Sequence, residues 1–116
     1  MRCDVDFRLK TFAAEATKRL APLMSEHGFT GPTIGETKQG MPRIDVRYIR
    51  GDDVVETSLA LYYMGEEYVT TQMWRLDNVK AGRVEVGTDT THKGHQMRKA
   101  LDRQVDALRD LLRTVR

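Results

Sequence analysis

Cysteine is nearly absent from this 116-residue sequence: Cys3 is the only one. A single thiol cannot close an internal disulfide, so a stapled secreted scaffold is excluded and a reducing, cytoplasmic setting is expected. No apolar run approaches 18 residues, so no transmembrane helix is expected. The opening Met-Arg-Cys-Asp-Val-Asp-Phe-Arg lacks the apolar stretch of a secretory leader. Serine is also scarce. Ser25 and Ser58 are the only two, and neither sits in the sequence context of a nucleophile. There are no repeats, no low-complexity tracts and no linker. The formal net charge is only +2, far from the basic stripe of a dedicated nucleic-acid binder.

What is present reads as one globular domain spanning residues 1–116. Hydrophobic residues make up 40% and charged residues 31%, a mix that supports a buried core without metal or disulfide. The charge is unevenly spread. Residues 91–116 hold seven Lys or Arg against three Asp, whereas the first 90 hold 12 basic and 14 acidic side chains. A mildly acidic body therefore ends in a basic segment.

The apolar period gives the elements. Val5, Leu9, Phe12, Ala13, Ala16, Leu20, Leu23 and Met24 recur three and four apart, which predicts a helix from Asp4 or Asp6 to His27. Either aspartate can cap its start, and Gly28 can end it in a left-handed conformation with Phe29 folding back. Pro22 conflicts with this pattern and predicts a kink or break in the last turn. Residues 28–42 read as a connector with at most a short strand over 33–37.

Beyond the connector the period changes to two. Closing a two-residue turn at Gly51-Asp52 pairs Arg50 with Asp53, Tyr48 with Val55, Val46 with Thr57 and Ile44 with Leu59, and sets Arg47 opposite Glu56. A further strand runs over 68–76. A three-residue loop before it turns Val69, Thr71 and Met73 toward Leu59 and Leu61, which is the expected register because that set is the more apolar. A two-residue turn would send the Trp74 row inward instead. A turn at 77–82 and a short strand over 83–88, with Val84 and Val86 inward, complete the sheet. The last helix begins between 91 and 95 and buries Met97, Leu101, Val105, Leu108, Leu111, Leu112 and Val115. The fold class is therefore α+β: an antiparallel meander of four to five strands, with an N-terminal and a C-terminal helix packed on one face.

No enzyme motif emerges, and neither a catalytic residue nor a cofactor is assigned. Asp89, His92 and His95 are close enough to suggest a metal site, but zinc needs three or four convergent ligands and no second cluster supplies them. Glu66-Glu67 reads as solvated turn charge rather than paired acid–base carboxylates. On the last helix Arg98, Lys99, Arg103 and Arg109 could address phosphates. Asp102, Asp106 and Asp110 interleave with them, however, and predict the intrahelical pairs Arg98–Asp102, Asp106–Arg109 and Asp110–Arg113.

Five of the eight aromatic residues, Tyr48, Tyr62, Tyr63, Tyr68 and Trp74, fall in the sheet region. Alternation places Tyr68, Thr70, Gln72 and Trp74 on the uncovered face, near Tyr62 and Arg47, a mix suited to a partner surface. The helix–meander–helix order resembles secretion-chaperone-like and toxin-immunity-like domains in architecture, without a matching motif. The favoured expectation is a small non-catalytic protein-binding domain of adaptor, chaperone or immunity type, with a protein partner or a second copy (a homodimer) on the open sheet face. The alternatives are a phosphate or nucleic-acid binder through the last helix, and a small-ligand or enzyme domain with a pocket between helices and sheet.

Overall fold

The computed structural model describes residues 2–62, 65–76, 82–91 and 94–114. Its elements run α1 (Arg2–Glu26), β1 (Thr30–Thr37), β2 (Arg43–Arg50), β3 (Asp53–Leu61), β4 (Glu67–Arg75), β5 (Val84–Thr91) and α2 (Gly94–Thr114). The strands form one antiparallel sheet in chain order, so the α+β meander with a helix at each end is present, with five strands. α1 lies over β1, β2 and β3, and α2 over β4 and β5. Among the described residues no helix is long and apolar enough to cross a membrane.

The core follows the two apolar periods. Leu9, Phe12, Ala16, Leu20, Leu23 and Met24 of α1 and Met97, Ala100, Leu101, Val105, Leu108 and Leu112 of α2 pack onto Ile44, Val46, Tyr48, Val55, Leu59, Leu61 and Val69. Every pair expected for the β2–β3 hairpin is formed, from Arg50–Asp53 to Ile44–Leu59, with Arg47 opposite Glu56. Beyond it, Tyr62 N–H bonds the Glu66 carbonyl at 2.9 Å, and Leu61 pairs with Glu67. Val69, Thr71 and Met73 accordingly pair with Leu59, Thr57 and Val55, and the Trp74 row turns outward.

The ends of the elements differ from expectation. α1 begins at Arg2, upstream of Asp4 and Asp6, so neither is a preceding cap; Asp6 lies in its N-terminal turns, where a carboxylate suits the dipole. The Asp6 carboxylate meets Lys38 Nζ at 2.9 Å. Pro22 lies inside a helix that continues to Glu26, because so near the end it removes only one backbone bond while Leu20, Leu23 and Met24 hold the turn in the core. The end itself forms as expected. Gly28 takes φ +79°, its N–H bonds Ser25 O at 3.2 Å, and Phe29 N–H bonds Met24 O at 2.8 Å, the two bonds of a Schellman ending. Arg50 completes it by donating to His27 O at 2.9 Å while lying over the Phe29 ring.

β1 is a full eight-residue strand rather than a short one, and all eight residues are exposed. Lacking apolar alternation, it forms because the outer edge of β2 needs backbone partners. β5 is also longer than expected and reaches Thr91. A register shift opposite Thr71 and Gln72 leaves Val86 half-buried against the core, while Val84 pairs with Met73 on the helix side but is 54% exposed, so it faces inward without being buried. α2 then starts at Gly94. The expected roles of Tyr63, His92 and Val115, and most of the 77–82 turn, lie outside the described residues.

Polar contacts stitch the helices to the sheet. Gln104, in the middle of the α2 stripe, is 2% exposed. It accepts a bond from Thr71 Oγ1 at 2.7 Å and donates through Nε2 to Val69 O at 2.8 Å and Asp89 Oδ2 at 2.9 Å. Burial pushes the Asp89 carboxyl up, but hydrogen bonds from Gln104 and Arg103 outweigh it and hold it below the ordinary 3.8. A carboxyl held low in the folded state stabilises above its unfolded value, and that stability drains away as pH falls through the folded value. Asp89→Asn is therefore expected to flatten the fall in urea midpoint as pH drops below about 4, since it removes one group that takes up a proton on unfolding there. An acid limb as steep as that of the parent would contradict the assignment.

Candidate functional site

The face of the sheet away from the helices is built by strand alternation. Arg43, Asp45, Arg47 and Ile49 of β2 lie beside Ala60, Ser58, Glu56 and Val54 of β3, which lie beside Tyr68, Thr70, Gln72 and Trp74 of β4. Thr90 and Thr88 of β5 extend the row. The cross-strand pair Arg47–Glu56 is formed, with Arg47 Nε at 3.1 Å and Nη2 at 2.7 Å from Glu56 Oε2. Arg43 donates through Nε to Asp45 Oδ1 at 2.7 Å and through Nη2 to Ser58 Oγ at 3.1 Å, while Ser58 Oγ donates to Asp45 Oδ1 at 2.6 Å.

Trp74 is half-buried on this face under two guanidinium groups. Arg83 Cζ lies 4.2 Å from the ring centroid and Arg47 Cζ 5.3 Å from it. Cations at this range are attracted to the electron-rich ring face. Arg83 also donates to Gln72 Oε1 at 3.1 Å. Tyr62 and Tyr68 form a second aromatic group, ring centroids 4.6 Å apart and nearly edge to face, with Tyr68 Oη donating to Glu66 Oε2 at 2.6 Å. That bond, then burial, raises the Tyr68 pKa above the ordinary tyrosine value.

Of the six residues expected to form the partner surface, the structure brings Arg47, Gln72 and Trp74 together and leaves Tyr62 and Tyr68 at the other end of β4. Six residues of strand separate Tyr68 from Trp74, about 20 Å. Thr70 lies between them, within reach of Thr88 Oγ1 at 3.4 Å. The sequence reading missed Arg43, Asp45, Ser58 and Arg83. The β2–β3 register already sets Asp45 opposite Ser58, so the first three were within reach of it. Arg83 was not, because it precedes β5 and reaches Trp74 across the β4–β5 pair.

Other expected groupings take different partners. Glu67 is not a solvated turn charge: it is 4% exposed, because its place opposite Leu61 and Thr91 turns it toward α1, where Arg8 meets its carboxylate and Thr91 Oγ1 donates to it at 3.2 Å. The pair Arg98–Asp102 is replaced by contacts between the helices. Arg19 Nε takes Asp102 at 2.7 Å and Arg98 lies 4.0 Å from Glu15, since the two helices share the helix side of the sheet. Asp106–Arg109 and Asp110–Arg113 form within α2 as expected, at 2.8 and 3.8 Å. Arg103 pairs with Asp89 at 2.8 Å, and Lys99 is exposed. Asp89 is thus engaged by Arg103 and Gln104; His95 is exposed in the first turn of α2, and His92 lies outside the described residues. Among the described residues no three His, Cys, Asp or Glu side chains converge as metal ligands.

Among the described residues, fold and face together define an α+β arrangement of two helices and five strands, with one sheet face that no described helix covers, furnished with arginine, carboxylate and tryptophan. No protein-family model, no curated protein and no solved structure matches the chain.

Proposed function

We propose that the protein is a non-catalytic binding module that takes a protein partner on the open face of its sheet, with Trp74 as the anchor. The observation that carries this reading is the Trp74 ring, half-buried on a face that no helix covers among the described residues and held by Arg47 and Arg83. A large aromatic side chain already fixed in place loses little freedom on binding, and Trp and Arg dominate the energetics of most interfaces. Gln72, Thr70 and Thr88 around it supply adaptable hydrogen-bonding groups. The arginines of α2 support the phosphate reading less well, because Arg98, Arg103 and Arg109 each face a carboxylate.

Site-directed photo-crosslinking in cells tests the reading. A crosslinker at Gln72 is expected to give a discrete protein adduct, and one at Ala14, exposed on α1, none. Trp74→Ala should weaken the Gln72 adduct at least tenfold while circular dichroism stays unchanged, since a hot-spot truncation costs about 2 kcal/mol or more. An adduct at Ala14 alone, or a Gln72 adduct indifferent to Trp74→Ala, would show that the face is not the binding surface.

A further inference from the structure

We infer that the partner segment recognised by this face is an extended acidic peptide, an inference that rests on the binding reading above and adds its chemistry. The face arranges its charges in two levels. Arg43 and Arg47 keep 45% and 43% of their side chains exposed, whereas the carboxylates they hold, Asp45 and Glu56, keep 27% and 4%. Arg83 is exposed as well, and among the described residues no carboxylate pairs with it. An approaching molecule therefore meets guanidinium groups and the edge of Trp74 over β2 to β4, with Asp45 and Glu56 beneath, while the exposed Glu85 beside Gln72 is engaged by Thr88 Oγ1 at 2.7 Å.

The buried Glu56 and the half-buried Asp45 act as positioning residues. Glu56 takes Nε and Nη2 of Arg47, and Asp45 with Ser58 takes Nε and Nη2 of Arg43. Each guanidinium is fixed by one side and still offers Nη1 donors on the other, in the planar geometry that suits a carboxylate. Donors held in place before binding spare a ligand the entropy of ordering two long side chains.

Spacing and the state of the aromatics select the ligand class. Arg43 and Arg47 point the same way four residues apart, about 13 Å, with Asp45 midway. An extended peptide laid along β2 presents side chains with the same period. It would put acids at facing positions i and i+4 and an uncharged residue at i+2, opposite Asp45. Arg83 beside Arg47 then adds a second cation for the acid at one end. Stacked nucleic-acid bases fit less well. The Trp74 ring already carries two guanidiniums, and Tyr62 and Tyr68 are turned against each other.

The test is an NMR titration of the whole chain, read at the Trp74 indole N–H and the Arg Nε–H signals. The probes are the capped peptide Thr-Glu-Thr-Gln-Thr-Glu-Thr, its counterparts with Gln or Lys in place of both Glu, and oligo(dT). The Glu peptide is expected to give saturable shifts at Trp74, Arg47 and Arg83, weakening several-fold from 50 to 500 mM salt as screening sets in. Arg83→Gln, which breaks no ion pair among the described residues, should weaken it about tenfold. Lys99→Gln, an equal charge loss on α2, should leave it unchanged. Equal binding of the Gln peptide, no shift with the Glu peptide at millimolar concentration, or tighter binding of oligo(dT) would overturn the inference. Should the peptide fail while the Trp74-dependent adduct at Gln72 persists, the acidic chemistry falls and the binding reading stands. Loss of both removes both.

Discussion

Leu108→Ala is expected to lower the free energy of unfolding by about 2–5 kcal/mol, the range for a fully buried leucine whose cavity only partly collapses. Leu108 is 0% exposed and sits in the α2 stripe over the sheet, in the same cluster as Leu101, Val105 and Leu112. The loss should appear in urea as a lower midpoint with an unchanged slope, since the truncation alters stability and not the surface exposed on unfolding. A change below about 0.5 kcal/mol, typical of surface positions, would show that α2 does not bury this face.

Gly87→Ala is expected to destabilise by about 1–3 kcal/mol, and this cost should vanish when Gln104 is also truncated to alanine. A Cβ on Gly87 would lie 2.8 Å from Gln104 Cγ. Gln104 cannot swing aside freely, because Thr71, the Val69 carbonyl and Asp89 all hold its amide. Gln104→Ala alone should cost a similar amount by leaving buried polar groups without a partner. In the double variant the new methyl occupies space the glutamine has left, and replacing glycine reduces the freedom of the unfolded chain. The two changes should therefore be non-additive by about 1–3 kcal/mol, whereas additive effects would contradict the contact.

These two sites differ in how far the sequence reveals them. Leu108 is legible from period alone, as are Leu101 and Val105. Gln104 is not, because a polar residue interrupting an apolar stripe reads as the edge of that stripe. It is buried because Thr71, Val69 and Asp89 of the sheet lie beneath it, and Gly87 leaves the room. The same holds on the opposite face. Arg47–Glu56 and the outward turn of Trp74 were within reach of the sequence, since both depend on one hairpin register and on which alternate set is more apolar.

By itself, the sequence determined the two helices, the paired β2 and β3, the Schellman ending at Gly28 and the buried side of the helices and of β2 to β4. These depend on residues a few positions apart, where steric preference and apolar period act directly on the backbone. Only the tertiary structure decided that Glu67 meets Arg8, that Arg19 of α1 takes Asp102 from α2, and that Arg83 lies over Trp74. It also decided that β1 becomes a strand although its own residues carry no alternation. Periodicity says which way a side chain points, but not what another element brings to meet it. Long polar side chains such as Arg and Glu reach across several ångströms, so their partners are set by how helices and strands pack.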